Sequence, residues 1–205
     1  MGRTGLGRST QRNAAAVFKT VHEAEWGDLM VMDALRAFHF KRSEILVGGG
    51  SKSVIAQRLD GFLATRGWKE REFKTKIIVD QTEYDSPTHK VDCFKGRVAL
   101  EIEWNNKDPF FDRDLNNFRL LFELRAIDVG VIITRATELQ ALFRSLGPKV
   151  GAKYGSATTH WQKLYRRIEG GGGGGCPILI FGITQKRYVE DHAPMVAPAS
   201  SEDDA

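Results

Sequence analysis

The sequence predicts an α/β fold, with a central mixed β-sheet flanked by helices. Residues 128–134, DVGVIIT, and 177–183, PILIFGI, are near-continuous apolar runs of strand length, as expected for strands covered on both faces. Asp112 to Ala126, just before the first of them, repeats Leu115, Phe118, Leu121 and Phe122 at helical spacing. Lys90 to Asp108 holds two short strand-like runs joined by a tight turn. A hairpin followed by a helical crossover to a further strand requires both antiparallel and parallel pairing, the crossover being right-handed.

Taken in order, residues 1–13 are rich in Gly, Arg, Ser and Thr and read as a disordered basic arm. Val17 to His22 is a short extended or helical segment. Asp28 to Phe40 carries Leu29, Met32, Leu35 and Phe38 at helical spacing, a core-facing stripe. Gly48, Gly49 and Gly50 form a turn; with no Gly-Lys-Ser/Thr ending and no buried strand before them, they are not a phosphate loop. Ser51 to Arg66 reads as a capped helix with Val54, Ile55, Leu59, Phe62 and Leu63 on one stripe, stopped by Gly67. Trp68 to Val79 contains a strand with one wet side, and Gln81 to Thr88 a polar loop. Beyond residue 134, Ala136 to Leu146 is a short helix and Gly147 to Thr159 a Gly-, Ser- and Thr-rich loop. Trp161 to Ile168 is a helix with Lys163, Arg166 and Arg167 on a basic face. Gly170 to Gly175 reads as a flexible linker. The chain from Asp191 onward is rich in Pro and Ala and ends acidic, the pattern of a disordered tail. The expected organisation is therefore one domain over 14–190, an arm over 1–13 and a tail over 191–205.

A chain of 205 residues with 41% apolar and 27% charged residues is long enough to bury a substantial core. Its net charge of +4 permits a polyanionic partner without demanding one. Cys93 and Cys176, with no CxxC and no His cluster, argue against zinc and against a disulfide framework, and fit a cytoplasmic protein with reduced thiols. No apolar run approaches the roughly 20 residues that cross a membrane, and Ala14 to Phe18 is too short for a signal-peptide core.

The densest chemistry lies in KVDCFKGRVALEIEWNNKD, residues 90–108. Strand side chains alternate faces, so Glu101 and Glu103 point one way while Val98, Leu100, Ile102 and Trp104 form an apolar face. A turn centred on Lys95-Gly96 would pair Phe94 with Arg97, Cys93 with Val98 and Asp92 with Ala99. Asp92 would then lie diagonal to Glu101, roughly 7–8 Å away. Three carboxylates on one face repel one another and resist burial; a hard divalent cation relieves them, and Mg²⁺ is typically held by one or two carboxylates plus substrate phosphate. The local chemistry is that of metal-assisted phosphodiester hydrolysis. The alternative is a solvated strand face whose acids pair with Lys and Arg.

Asp92, eight further residues, then Glu101-Ile102-Glu103 resembles the PD-(D/E)xK nuclease motif, and more narrowly the BglII, BstYI and BamHI group of type II restriction endonucleases. Trp104-Asn105-Asn106-Lys107-Asp108 and Phe111 to Phe118 continue the likeness to the BglII-like branch. Val91 stands where the motif name has Pro. Glu103 stands where the superfamily usually has Lys, as in the BamHI-like members, which leaves the general base unassigned. The resemblance implies a restriction-endonuclease-like core and a Mg²⁺-dependent, sequence-specific double-strand DNA endonuclease, cutting a palindrome with a GATC-like centre as a two-fold homodimer. Asp92 and Glu101 would hold the metal, with a carbonyl from Ala99 or Ile102, and Glu103 would orient or deprotonate the attacking water. Asn105 and Asn106 are candidate base readers or turn-backbone partners; Lys107 is a candidate phosphate contact or a solvated charge. Tyr84, Asp85 and His89, ahead of the metal strand, face the substrate side, and Asp85 competes with Asp92 as first ligand; spacing favours Asp92. Two other functions compete: a repair or nicking nuclease of the same fold, and a non-catalytic DNA-binding module.

Overall fold

A computed structural model describes residues 30–47 and 52–191. The expected basic arm, the 17–22 segment, the triple glycine at 48–50 and nearly all of the acidic tail lie outside the described residues. Described elements, numbered in chain order, begin with α1 (Met30–Ala37), β1 (Phe40–Lys41), α2 (Arg42–Leu46), α3 (Val54–Ala64), β2 (Lys69–Arg71), β3 (Lys74–Val79) and β4 (Thr82–Pro87). They continue with β5 (Val91–Lys95), β6 (Val98–Glu103), α4 (Pro109–Glu123), β7 (Val129–Arg135), α5 (Leu139–Ser145), α6 (Pro148–Lys153), α7 (Trp161–Glu169), β8 (Ile178–Ile183) and β9 (Tyr188–Val189).

The main sheet has the order β2-β5-β6-β7-β8. β2, β5 and β6 pair antiparallel, whereas β6, β7 and β8 pair parallel, so the sheet is mixed as the sequence pattern requires. β6 and β7 are buried at every residue. Period-two alternation divides their side chains between two cores. Val98, Leu100, Ile102, Val131 and Ile133 pack towards Ile55, Leu59 and Leu63 of α3. Ala99, Ile132, Ile178 and Ile180 pack towards Phe111, Leu115 and Phe118 of α4 and Leu164 of α7. The result is an α/β sandwich with helices on both faces of the sheet. Ser53 caps α3 by accepting the Ala56 N–H at 3.1 Å.

The β5–β6 turn differs from the sequence expectation. Its two central residues are Gly96 and Arg97, with φ of 52° and 67°, the pair of positive values that a type I′ hairpin demands. Arginine rarely adopts that conformation; here a bidentate pair with Asp128, at 2.8 and 2.6 Å, holds it. The ladder therefore pairs Lys95 with Val98, Phe94 with Ala99 and Cys93 with Leu100. A two-residue shift keeps Asp92 on the face of Glu101 but sets it opposite that residue rather than diagonal to it.

Three other segments depart from expectation. The strand expected within 68–79 is two strands, and residues 82–87 are no loop but pair with β3 as a separate two-stranded ribbon. Within 147–159 lies α6, whose Val150 enters the core. The six glycines form hydrogen-bonded turns, with Gly171 N–H donating to Ile168 O, Gly172 N–H to Arg167 O and Cys176 N–H to Gly173 O. They pack closely: a Cβ on Gly173 would come within 2.3 Å of Ile178, and one on Gly172 within 3.1 Å of Leu115. The run is a packed connection, because only glycine lets this backbone lie so near α4 and β8.

Candidate active site

β5 and β6 part company after the Cys93–Leu100 pair, and side chains take over from the ladder. Asp92 Oδ2 accepts the Ile102 N–H at 3.2 Å, while the Asp92 N–H points at Glu101 Oε2 at 3.4 Å. Glu101 and Glu103 are each only 2% exposed. That burial excludes the solvated acidic face as an account of them. Burial, then the charges of Asp114, Asp92 and Glu103, push the Glu101 carboxyl well above its usual range. Burial and Asp114 raise Glu103 to about 9. Carboxylates so placed are held as acids until positive charge arrives.

Asp114 on α4 completes the cluster. Its carboxyl is 1% exposed, and burial raises its pKa. Arg113 donates to Asp114 Oδ1 from Nε and Nη2, at 2.9 and 2.8 Å, and its Nη2 lies 3.6 Å from Glu103 Oε1. Asn106 Nδ2 donates to Glu103 Oε2 at 2.7 Å. Asp114 Oδ2 is buried and has no hydrogen-bond partner among the described residues. On the other flank, Lys52 bonds to Asp60 and sets its ammonium 3.8 Å from Asp92 Oδ1. Burial works against the Lys52 charge, but Asp60 and Asp92 outweigh it and the pKa is raised.

Of these groups, Lys52, Asp92, Glu103, Asn106 and Arg113 line a cleft of about 480 Å³, together with Asn105, Phe110 and Lys153; Glu101, Asp114 and Asp60 are not among its lining residues. Of the residues flagged from sequence, Asp92, Glu101 and Glu103 come together. Asn105 turns inward, with Nδ2 on the Lys153 carbonyl at 3.3 Å. Asn106 is exposed at the rim with its amide on Glu103, and Lys107 beside it is exposed and bridges to Thr158. Arg135, fully buried, holds the facing loop by donating to Thr159 O at 2.7 Å and to Thr158 Oγ1. Tyr84 and Asp85 stand exposed on the ribbon, where Asp85 pairs in register with Lys76 and does not line the cleft. His89 lines a neighbouring cleft of about 440 Å³ that also contains Arg113, Asn116 and Asn117.

Sequence reasoning assigned no site role to Lys52, Arg113 or Asp114, and began the helix at Asp112. α4 begins at Pro109, so Asp114 lies beyond the first turn. The available signal was periodicity: Asp114 interrupts the buried stripe of Phe111, Leu115 and Phe118. Nothing local marks Lys52.

The model of the family described as restriction endonuclease BglII/BglIII matches residues 9–183. The chain belongs to this family. It is thus a type II restriction endonuclease, a site-specific deoxyribonuclease that binds double-stranded DNA. No curated protein matches it. Among the described residues no helix is long and apolar enough to cross a membrane.

Restriction endonucleases of this kind generally use a divalent metal. Among the described residues no three or more His, Cys, Asp and Glu side chains form a ready-made cage. A hard cation that keeps several of its waters needs only one or two protein carboxylates. Asp92 and Glu101 fit that requirement, and the unanswered Asp114 oxygen and raised glutamates mark the excess negative charge that such a cation relieves.

Proposed function

We propose that this restriction endonuclease is Mg²⁺-dependent and that Asp92, Glu101 and Glu103 form its catalytic centre. The observation that carries the reading is the apposition of Asp92 and Glu101 beside a cleft, with both glutamates held as acids by burial and mutual repulsion. Asp92 and Glu101 would hold the ion, which would supply positive charge against the phosphate and a more acidic water. Glu103, fixed by Asn106 and Arg113, would give up its own proton to solvent as the cation's charge draws its raised pKa down, and as a carboxylate would orient that water and accept its proton. The water oxygen bonds to phosphorus as one phosphorus–ester oxygen bond breaks, and the departing oxygen takes a proton from solvent.

On this reading Asn106 and Lys107 form the exposed DNA-facing rim, which Asn105 joins on releasing its amide from the Lys153 carbonyl. Amide side chains pair bidentately with adenine, and lysine meets phosphate. Two copies related by a two-fold axis would each cut one strand of a palindrome with a GATC-like centre. The single nuclease domain over 14–190, the arm over 1–13, the tail over 191–205 and a cytoplasmic location belong to the same proposal.

Digestion of DNA of known sequence, with fragment ends mapped, tests it. The expected result is a discrete palindromic pattern that needs Mg²⁺ and vanishes in Glu101→Ala. Undiminished cleavage by that variant would show the carboxylate assignment to be wrong.

A further inference from the structure

The residue that ends the motif, Glu103, is acidic and is turned towards Asn106, Arg113 and Asp114. Cations must therefore reach the cleft from other elements, and Arg113, Lys153 and Lys52 line it. Arg113 is committed through two nitrogens to Asp114. Lys153 is committed to the carbonyls of Ile45 and Val47, at 3.2 and 2.6 Å. Lys52 stands beside Asp92.

Its place is built rather than accidental. Gln57 Nε2 donates to the Lys52 carbonyl at 2.8 Å and ties the backbone to α3. The ammonium bonds to Asp60, also on α3, and Asp60 Oδ1 accepts the Cys93 thiol at 3.2 Å. Cys93 is the strand neighbour of Asp92, so α3 is keyed to the point on β5 where the carboxylates gather. At 3.8 Å from Asp92 Oδ1, the ammonium is outside hydrogen-bond length. Its attraction to Asp92 is purely electrostatic, and the one donor given to Asp60 leaves two of its three for a phosphate. The side chain is 40% exposed, within reach of a polyanion entering the cleft.

We propose that Lys52 is a catalytic residue of this endonuclease, donating to a non-bridging oxygen of the phosphate being cut. The inference rests on the carboxylate site proposed above. Negative charge builds on that phosphate as water attacks, next to a cluster of acids that repels it. A fixed ammonium at the edge of the cluster offsets both, and counts for most where charge is greatest, in the transition state.

Single-turnover cleavage and metal-free DNA affinity are measured for wild type and Lys52→Gln, with Glu101→Ala alongside. Lys52→Gln is expected to slow cleavage by about 10²–10³-fold while its affinity changes by less than about tenfold; retained affinity also shows that the variant is folded. Cleavage at the wild-type rate overturns the proposal, as does a fall in affinity that matches the fall in rate. Faster cleavage at low Mg²⁺ overturns it too, since Lys52 would then only occupy the cation's place. A dead Glu101→Ala beside a fully active Lys52→Gln removes Lys52 alone. Wild type that cuts no DNA, or an active Glu101→Ala, removes the carboxylate site and Lys52 with it.

Discussion

Glu103 and Asp114 face each other across the gap between β6 and α4, each carboxyl almost wholly buried and each pushed above the usual carboxylate range. Neither can ionise freely while the other is charged, so their titration becomes a property of the fold.

Stability should therefore fall with pH in the absence of metal. Glu101, Glu103 and Asp114 bind protons more tightly folded than unfolded. Their contribution is complete below the ordinary carboxyl range and is lost as pH rises towards the folded value, about 9 for Glu103. His89 and His160 have lowered pKa values and work in the opposite direction, but only below about 6.5. Melting in chelator between pH 6.5 and 8.5 isolates the carboxylates. A Tm decline on the order of 5 °C is expected, shallower in Glu103→Gln, with Mg²⁺ raising Tm more at pH 8.5 than at 6.5. A flat profile contradicts the raised carboxyl pKa values.

Asp114→Asn keeps an oxygen for Arg113 and presents an amide donor to Glu103. Removing a buried charge from an acidic cluster should raise metal-free stability at pH 8.5 by about 1 kcal/mol. The same change alters the group that aims Glu103, and cleavage should drop by roughly 10–100-fold. Paired melting curves and initial rates test this; stability and rate moving the same way would count against it.

Arg135 lies beneath the loop that faces Asn106 and Lys107. It donates to the carbonyls of Thr159 and Tyr154 and to Thr158 Oγ1. The Phe143 and Tyr154 rings lie 5.5 and 5.4 Å from its guanidinium. Arg135→Met preserves much of the bulk but strands those acceptors, a loss of about 2–4 kcal/mol in urea denaturation. DNA affinity should fall with it, because Thr159 N–H donates to the Asn106 carbonyl at 2.8 Å.

Two glycine substitutions should separate in sign. A Cβ on Gly130 would sit 2.4 Å from the Phe118 ring, whereas one on Gly61 meets nothing within 4 Å. Gly130→Ala is expected to destabilise by about 1–3 kcal/mol, and Gly61→Ala, inside α3, to stabilise by about 0.4–1 kcal/mol. Denaturant midpoints of the two variants decide it.

What the chain makes legible follows from how local each cause is. β7, β8 and α4 are readable because their burial is written in unbroken apolar runs or stripes. The facing of Glu101 and Glu103 is readable from alternation alone. The hairpin register is not, because the positive φ of Arg97 is held by Asp128, 31 residues away in sequence. Residues 82–87 look like a loop by composition and become a strand through pairing with β3. The glycine run looks loose until Leu115 and Ile178 close on it. Lys52 reaches the carboxylates only through the packing of α3 on β5, and Asp114 hides among apolar neighbours whose spacing it shares.

The carboxylates and the groups that restrain Glu103 all fall between Asp92 and Asp114, on one hairpin and the helix that follows it. Inheritance can treat that stretch as a single cassette. One residue inserted within β5 or β6 would turn the carboxylates beyond it to the opposite face of the sheet.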